Sequence, residues 1–439
     1  MHRKNMSLFF KSRLTRLARA LKVGLKKLSP AIWRSLLCRL GYTGLSMGVM
    51  FSSNAAGETI AQSLFEALQQ QVFQVRVIDL GSGDKYSIGS GFQISEDGLI
   101  ATNYHVISAF VIEPEKYSLE IVAANGDKQQ VSLSAIDVIH DLAILKAAAL
   151  DKNYIRLSRS IGGKGSRIYS IGNPLDLGMT IIEGNYNGLV KRSRYQKILF
   201  SGSLNSGMSG GPAVSESGNV VGINVSKGGE QISFLVPVVH LRALLNKTRA
   251  AEITPDFHEQ VRKDLLADQQ MFADALLASP FEEKQLGELV IPVNLHPALR
   301  CWGHSEGKEE EKYSAVHQHC RSDDNIFVAG DLIVGSFQYD AEWISTESLK
   351  PVQFYKLLQT RYVPGTLAGS QQEKHVTQYQ CNTDFVELKG LTWKATSCYR
   401  AYKKFKGLFD AILLMALVER NEKSAIIKVA ASGFSRTTS

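Results

Sequence analysis

The chain has 439 residues, which is enough for two or three domains that each bury a core of their own. Its hydrophobic content of 44% and charged content of 21% are those of an ordinary globular protein. The net charge of +8 arises in residues 1–56, which hold 11 Lys or Arg and no acid, whereas the remainder holds 39 bases and 42 acids. The basic composition therefore gives no evidence for a nucleic-acid partner, and we expect none.

Residues 1–56 have the organisation of a targeting segment. A basic, amphipathic stretch is followed by a weakly apolar run over 40–51 and then by the small residues SSNAAG, which fit a signal-peptidase site near Ala55 or Ala56. The apolar run is far shorter than the roughly 20 residues that span a bilayer. We therefore predict an export signal that is removed from a periplasmic or secreted protein. The alternatives are an uncleaved membrane anchor, facing the non-cytoplasmic side, and an organellar transit peptide.

Between residues 60 and 250, short runs of β-forming residues alternate with Gly, Asn and Asp turns, as in FQVRVIDL, GLIATN and NVVGINVS. Strands at this spacing, without a long helical pattern between them, predict an all-β domain of antiparallel sandwiches or barrels. A short leading helix is expected over 58–72, and a second helix over 240–250 closes the region. We assign residues 57–250 to this domain.

From residue 255 the apolar spacing changes to intervals of three and four, which predicts an amphipathic helix up to about residue 278. We interpret residues 251–284 as a helical connector. Beyond it, residues 285–439 contain β-type runs that predict a second, strand-rich domain of unknown role. The apolar stretch over 408–418 is too short for a membrane helix and predicts a buried strand or helix. The apolar positions of the connector helix are Val261, Leu265, Leu266, Phe272, Leu276 and Leu277.

Outside the targeting segment, the cysteines all fall in the last third of the chain, at Cys301, Cys320, Cys381 and Cys398. Four cysteines allow three pairings, of which nearest-neighbour pairing, Cys301–Cys320 and Cys381–Cys398, is the simplest. The first pair lies in a stretch that also offers plausible zinc ligands, but a disulfide loop with solvated histidines is favoured in an oxidising compartment, and we assign no metal. The candidate zinc ligands are Cys301, His304, His317, His319 and Cys320.

The stretch NSGMSGGPAV, residues 205–214, sets Ser209 among glycines. Such residues occur in ordinary hairpin turns, but they also allow a sharp bend that exposes a hydroxyl and directs amide N–H groups toward one point. Upstream, His105 follows a strand-like run, and Asp141 stands at the head of another. An activated serine needs a base, and that base needs a group that fixes its orientation, so these three residues form a candidate triad. His140, which precedes the aspartate, is interpreted as a bystander.

Short motifs occur along residues 60–250 in this order: GSGF, TNYHV, DLAILK, SIGNP, GMSGGPAV and NVVGIN. By these motifs and their order, the region resembles a trypsin-like serine peptidase of the chymotrypsin fold, closest to the HtrA/DegP branch. The resemblance implies two antiparallel β-barrels and no cofactor. It also implies that Ser209 is the nucleophile, His105 the general base and Asp141 its orienting carboxylate. The N–H groups of Gly207 and Ser209 are then expected to form the oxyanion hole.

The chain departs from this family in three ways. Met208 stands where HtrA proteins commonly have Asn, and it cannot make that residue's hydrogen bonds, so an alternation of the loop between ordered and collapsed states stays open. By similarity, Ser203 and Leu204 lie near the floor of the primary pocket; no Asp is present there to bind a substrate Arg or Lys, and we expect a preference for neutral, small or apolar side chains. A PDZ-like carboxylate-binding loop is not recognised after residue 250.

The sequence thus predicts an exported serine endopeptidase that hydrolyses peptide bonds in proteins through an acyl-enzyme at Ser209. Its partners are protein or peptide substrates. The C-terminal domain is a candidate site for a further partner, and membrane contact is expected only if the N-terminal segment is retained. The alternative is a latent or non-catalytic trypsin-fold module that binds or senses a partner through its C-terminal domain.

Overall fold

The computed structural model describes residues 59–148, 150–250, 256–278, 280–307, 312–364 and 372–435. The predicted export signal in residues 1–56 lies outside the described residues. Among the helices of the described part, none combines the length and the apolar character needed to cross a bilayer.

The first barrel is a closed, six-stranded antiparallel sheet with strand order β1-β2-β3-β6-β5-β4. Side chains alternate across each strand, so that in β4 Tyr117 and Leu119 are buried while their neighbours are only half-buried. Strand β6 is buried on both faces: Leu145 lies in the core of the first barrel, whereas Leu142 and Ile144 pack in the core between the barrels. The strands are β1 (Val72–Asp79), β2 (Lys85–Gln93), β3 (Leu99–Thr102), β4 (Tyr117–Val122), β5 (Lys128–Asp137) and β6 (Leu142–Ala147).

The second barrel is also a closed, six-stranded antiparallel sheet, with strand order β7-β8-β9-β12-β11-β10. Its own core includes Phe200, Leu204 and Leu235. Together the barrels confirm the predicted all-β fold with two antiparallel barrels. The strands are β7 (Arg167–Gly172), β8 (Thr180–Leu189), β9 (Ile198–Phe200), β10 (Pro212–Val214), β11 (Val220–Gly229) and β12 (Ile232–Pro237).

The helices connect and flank these sheets. At the leading helix, the hydroxyl of Thr59 accepts a hydrogen bond from the Gln62 N–H at 3.2 Å and so caps the first turn. The second helix follows β3 directly and carries His105. The predicted connector helix is confirmed, and its buried face includes Val261, Leu265 and Phe272. The α-helices are α1 (Ile60–Leu68), α2 (Tyr104–Ile112), α3 (Val238–Ala250), α4 (Phe257–Ala278) and α5 (Pro351–Arg361); short 3₁₀ turns cover Gln69–Gln71 and Pro174–Asp176.

The C-terminal region, residues 280–435, is built on an open, seven-stranded antiparallel sheet with strand order β15-β16-β19-β23-β22-β21-β20. Two further hairpins, β13–β14 and β17–β18, stand outside it. The apolar stretch over 408–418 is a strand of the large sheet and not a helix. The strands are β13 (Glu282–Leu286), β14 (Leu289–Val293), β15 (Leu299–Glu306), β16 (Ser314–Ser322), β17 (Ile326–Ala329), β18 (Leu332–Val334), β19 (Phe337–Ser345), β20 (Gln380–Leu388), β21 (Leu391–Ala401), β22 (Leu408–Leu417) and β23 (Lys423–Ser435).

Both disulfides join residues that stand directly opposite each other on neighbouring strands. Cys301 on β15 pairs with Cys320 on β16, and Cys381 on β20 pairs with Cys398 on β21. Nearest-neighbour pairing is therefore confirmed, and it removes the two cysteines from the alternative zinc-ligand set.

The β17–β18 hairpin shares a hydrophobic core with the first barrel. Ile326 and Val328 are buried in the same cluster as Val106 and Ile107 of α2. The connector helix α4 is also attached to the second barrel, since its Asp268 forms a buried ion pair with Arg194, with Nη2 and Oδ2 2.6 Å apart. The C-terminal region thus packs against the helix that carries His105.

Candidate active site

His105 and Asp141 form a two-point contact. The imidazole Nδ1 lies 2.7 Å from Asp141 Oδ2, and the His105 backbone N–H donates to Asp141 Oδ1 at 2.8 Å. Asp141 has a left-handed backbone (φ 56°), which Asp tolerates better than most residues, and the Asn103 side-chain amide donates to its carbonyl at 2.8 Å. With Nδ1 directed at the carboxylate, the other ring nitrogen, Nε2, is left to exchange protons with a reacting group.

Two opposing effects act on the pKa of His105. Burial disfavours the charged ring, but the negative charge and the hydrogen bond of Asp141 outweigh it and raise the pKa of His105 above its usual value. The side chain is still 29% exposed, so the ring can meet a molecule from outside. An imidazole held this way can accept a proton and remain stable as an imidazolium.

The glycines around Ser209 are required by the path of the backbone. Gly207 and Gly210 both have left-handed backbones, with φ of 93° and 86°. A Cβ on Gly207 would lie 2.4 Å from the Asn173 carbonyl oxygen, and one on Gly210 would lie 2.2 Å from that of Ser90. Because only glycine satisfies both demands, the motif here is a constrained loop and not a simple hairpin turn.

Hydrogen bonds from the first barrel hold this loop. The Ser90 N–H donates to the Ser209 carbonyl at 2.7 Å, and the Ser90 hydroxyl donates to the Gly207 carbonyl at 2.7 Å. From the second barrel, the Asn224 side-chain amide donates to the Met208 carbonyl at 3.2 Å. Sequence reasoning missed the role of Ser90 and Asn224, although each is a polar residue within an otherwise apolar strand motif and is fully buried.

The predicted oxyanion donors are unpaired in the loop. The Leu175 N–H donates to the Ser206 carbonyl at 2.8 Å, and because a trans peptide directs its C=O and N–H to opposite sides, the Gly207 N–H points away from Leu175. Within the part of the chain that the structure describes, neither the Gly207 N–H nor the Ser209 N–H donates to a protein acceptor. Both are therefore able to bind a negatively charged oxygen.

The Ser209 hydroxyl does not contact the imidazole in this structure. It donates to the Val225 carbonyl at 2.8 Å, and no hydrogen bond joins Ser209 to His105 among the described residues. Catalytic hydrogen bonds are often absent before substrate binds, so this geometry is compatible with a nucleophile in a resting position.

A family model matches the part of the chain that contains the candidate triad. Residues 89–223, which include His105, Asp141 and Ser209, match the family model of the trypsin-like peptidase domain. This part of the chain is therefore similar to a trypsin-like peptidase domain, and we refer to residues 57–250 as the peptidase domain. The resemblance drawn from the sequence motifs is thereby confirmed.

The relatives of the peptidase domain are named HtrA and DegP-like proteases. The chain is 33% identical over 178 residues to serine protease HTRA3 of Homo sapiens, which covers 38% of this chain and 39% of that protein. It is 30% identical over 220 residues to serine protease HTR4 of Rattus norvegicus, covering 48% and 39%. It is 33% identical over 161 residues to a probable periplasmic serine endoprotease DegP-like of Brucella suis, covering 34% and 30%. The chain spans less than half the length of these curated relatives.

Two solved structures each match less than half of the chain. A serine endoprotease from Yersinia pestis is 27% identical with a TM-score of 0.38, covering 43% of this chain and 66% of that one. Deg5 is 25% identical with a TM-score of 0.37, covering 42% and 91%.

Met208 holds the Ser209 loop through apolar packing. Its side chain is fully buried and packs in the core of the second barrel, together with Leu204 and Phe200.

Leu204, one of the two predicted pocket residues, is also buried, and its N–H donates to the Ser233 hydroxyl at 3.1 Å. Ser203, the other, is half-buried. Neither pocket residue lines the two cavities that border His105.

His140, interpreted as a bystander, has its own carboxylate partner in Asp137. Its Nδ1 lies 2.8 Å from Asp137 Oδ2, and its N–H donates to Asp137 Oδ1 at 3.0 Å, which repeats the His105–Asp141 pattern. Its ring stacks on His240 at 3.8 Å between centroids; burial and the neighbouring His140 lower the pKa of His240 to about 4.

One cluster in the C-terminal region has the composition of a metal site. Ligand atoms of His304, Glu306 and His317 all lie within 4.8 Å of one another. Glu306 also pairs with Arg361 at 2.6 Å, which places a positive charge beside these ligands. His319, another of the candidate zinc ligands, instead pairs with Asp340.

Proposed function

We propose that this protein is a serine endopeptidase that cleaves protein or peptide substrates through an acyl-enzyme at Ser209. The observation that carries the proposal is the two-point contact of His105 with Asp141, in one peptidase domain with a serine whose loop offers two unpaired N–H donors. In this proposal residues 57–250 carry out the reaction, residues 251–284 are a connector, and residues 285–439 are an accessory domain.

The proposed reaction begins when the Ser209 hydroxyl turns from the Val225 carbonyl toward His105 Nε2. His105 takes the hydroxyl proton as the oxygen attacks the substrate carbonyl carbon, and Asp141 stabilises the resulting imidazolium. The oxygen of the tetrahedral intermediate accepts hydrogen bonds from the Gly207 and Ser209 N–H groups. The protonated His105 then gives its proton to the departing amine, and a water activated by the same ring hydrolyses the acyl-enzyme.

The proposed substrate side chain in the primary pocket is neutral and small or apolar. Support comes from Ser203 and Leu204, which bring no carboxylate to pair with a substrate Arg or Lys. We also propose that the protein is exported. The acid-free residues 1–56 and the name of the Brucella relative, a probable periplasmic endoprotease, both support this location.

The test is covalent labelling by a fluorophosphonate, which reacts quickly only with an activated serine. The chain lacking residues 1–56 is compared with Ser209→Ala and His105→Ala, and the folding of each variant is checked by circular dichroism. We expect labelling of the unmutated chain alone, together with cleavage of an unstructured protein substrate that stops after labelling.

A latent binding module is the second candidate function. The hydrogen bond from the Ser209 hydroxyl to the Val225 carbonyl favours it, since the serine is held away from its base. A folded, unmutated chain that neither labels nor cleaves would support this candidate and refute the peptidase proposal for the isolated chain.

A further inference from the structure

The β17–β18 hairpin of the C-terminal region presents one aromatic ring to the catalytic histidine. Side chains alternate along β17, and because Ile326 and Val328 are buried against the first barrel, Phe327 between them faces the other way. Its ring meets the imidazole of His105 edge-to-face, with centroids 6.1 Å apart and planes at 82°. Phe327 remains half-buried, so part of its ring faces open space.

Phe327 and His105 together border two cavities. One, of about 370 Å³, extends past Ile139, Tyr195 and Ser226, and the other, of about 510 Å³, extends past Tyr86 and Ala109. A peptide that reaches Ser209 has to lie beside His105, since that ring exchanges protons with both the serine and the leaving amine. Such a peptide therefore lies beside the ring that Phe327 contacts.

Buried contacts fix the hairpin in this position. The hydroxyl of Tyr104, next to His105, donates to the Val328 carbonyl at 2.9 Å, and Tyr104 is fully buried. Just before β17, the buried Asp324 accepts hydrogen bonds from the Arg194 N–H at 2.6 Å and from Lys197 Nζ at 2.7 Å. These contacts hold the hairpin, and with it the Phe327 ring, in one position. A side chain that selects among substrates has to be held in this way.

The wall of the smaller cavity is largely apolar. Its apolar lining includes Val138 and Ile139, and from β12 Phe234 and Val236, while Lys197 is a charged residue that also borders it. An apolar substrate side chain fits this lining, whereas the Phe327 ring already occupies the space directly beside the His105 ring, with centroids 6.1 Å apart.

We infer that Phe327 is a specificity-determining residue that the C-terminal region contributes to the peptidase cleft. It restricts the substrate side chain that packs on His105 to a small one, while the cavity lined by Ile139 and Phe234 takes an apolar side chain of the same peptide. The inference rests on the proposed peptidase function. It gives the C-terminal region a direct part in substrate choice.

The test is peptide-library profiling of the chain lacking residues 1–56, compared with Phe327→Ala and Phe327→Trp. Since one side-chain size step in a pocket changes kcat/KM by about 10-fold or more, Phe327→Ala should raise kcat/KM for peptides with a large side chain at one substrate position by about 10-fold relative to those with alanine there. Phe327→Trp should change the same ratio in the opposite direction. The matched control is Phe385→Ala, which removes a ring that is 62% exposed on the edge strand β20 and should leave the profile unchanged.

The possible outcomes separate this inference from the peptidase proposal. A profile that is the same in all four chains, each labelled by fluorophosphonate, overturns the role of Phe327 and leaves the peptidase proposal intact. A uniform change of all peptides in Phe327→Ala also overturns it, because selectivity has not moved. If Phe327→Ala does not fold, Phe327→Trp alone decides, since it keeps the apolar ring. Absence of labelling in the unmutated chain counts against the peptidase proposal itself.

Discussion

The peptidase domain and the C-terminal region protect their sheets in different ways. Both barrels close on themselves, so that neither has a free edge strand. The C-terminal sheet is open, and each of its edge strands, β15 and β20, is joined to its neighbour by a disulfide. Covalent bonds thus occur where the hydrogen-bonded network ends, and none of the described disulfides lies in the barrels.

The two regions also place different side chains beside the cavities at His105. In the reaction that we propose, the peptidase domain supplies the groups that exchange protons and bind a negative charge, and the C-terminal region supplies the Phe327 ring beside His105. The peptidase domain forms a buried ion pair with the connector helix, Arg194–Asp268, and an exposed one with the C-terminal region, Glu113–Lys404. Substitutions at Asp141, at the buried ion pair, at the disulfides and at the exposed ion pair should therefore change activity and stability to different extents.

The largest effect is expected from Asp141→Asn. An Asn amide donates to Nδ1 and favours the wrong tautomer of His105, which typically lowers kcat by about 10⁴-fold in such a triad. Steady-state kinetics on a peptide substrate measures this loss. The denaturant midpoint serves as the control, since a large fall in stability would mean that the loss of activity arises from unfolding and not from the tautomer.

Asp268→Asn should have the next largest effect, on stability. Arg194 is 4% exposed and Asp268 10%, and the substitution leaves the guanidinium buried without its carboxylate. Removing one partner of a buried pair costs about 3–5 kcal/mol. Urea denaturation followed by tryptophan fluorescence measures the change. A loss below about 1 kcal/mol would show that the Tyr195 hydroxyl and the Gly335 carbonyl, which also contact this pair, suffice to hold it.

Removal of the disulfide at β20 should cost somewhat less. The Cys381→Ser, Cys398→Ser double variant opens a loop with a sequence separation of 17, for which the entropic model gives about 3 kcal/mol. Denaturation of this variant is compared with that of Cys301→Ser, Cys320→Ser, whose separation is 19. Similar losses are expected, and a loss in only one pair would contradict the view that both disulfides act on equivalent edges.

The pH dependence of the reaction should follow the protonation of His105, whose pKa burial lowers and Asp141 raises. The protonated ring cannot accept the Ser209 proton, so kcat/KM should fall as pH falls through the pKa of His105. Since Asp141 raises this pKa, the decline is centred above the ordinary value of about 6.5. In Asp141→Asn the carboxylate is lost while burial remains, so the pKa should fall below that of the unmutated chain. NMR titration of the His105 ring measures both, and an unchanged pKa would refute the electrostatic role of Asp141.

The candidate triad and the disulfide pairing could be predicted from the sequence because they depend on local motifs. His105, Asp141 and Ser209 each stand in a short run of residues with its own turn or strand signal, and both disulfides join neighbouring cysteines across adjacent strands. Contacts between distant residues left no such signal. The Ser90 hydroxyl reaches a loop 117 residues away, and Tyr104 bonds a hairpin 224 residues away. The placement of Phe327 beside His105 depends on the contact between Tyr104 and the hairpin. Because the sequence of the C-terminal region resembles no fold that we recognise, this placement could not be predicted from it.

The smallest effect is expected from Glu113→Gln at the exposed end of the contact between the regions. The Glu113 carboxylate lies 3.1 Å from Lys404 Nζ, but the two side chains are 41% and 44% exposed. Water and salt screen such a pair, which contributes at most about 1 kcal/mol. Urea denaturation at low and high salt measures the loss, with Asp268→Asn as the buried counterpart. If Glu113→Gln cost as much as Asp268→Asn, the regions would be held together by surface charge, and the rigid support that we infer for Phe327 would weaken as salt is raised.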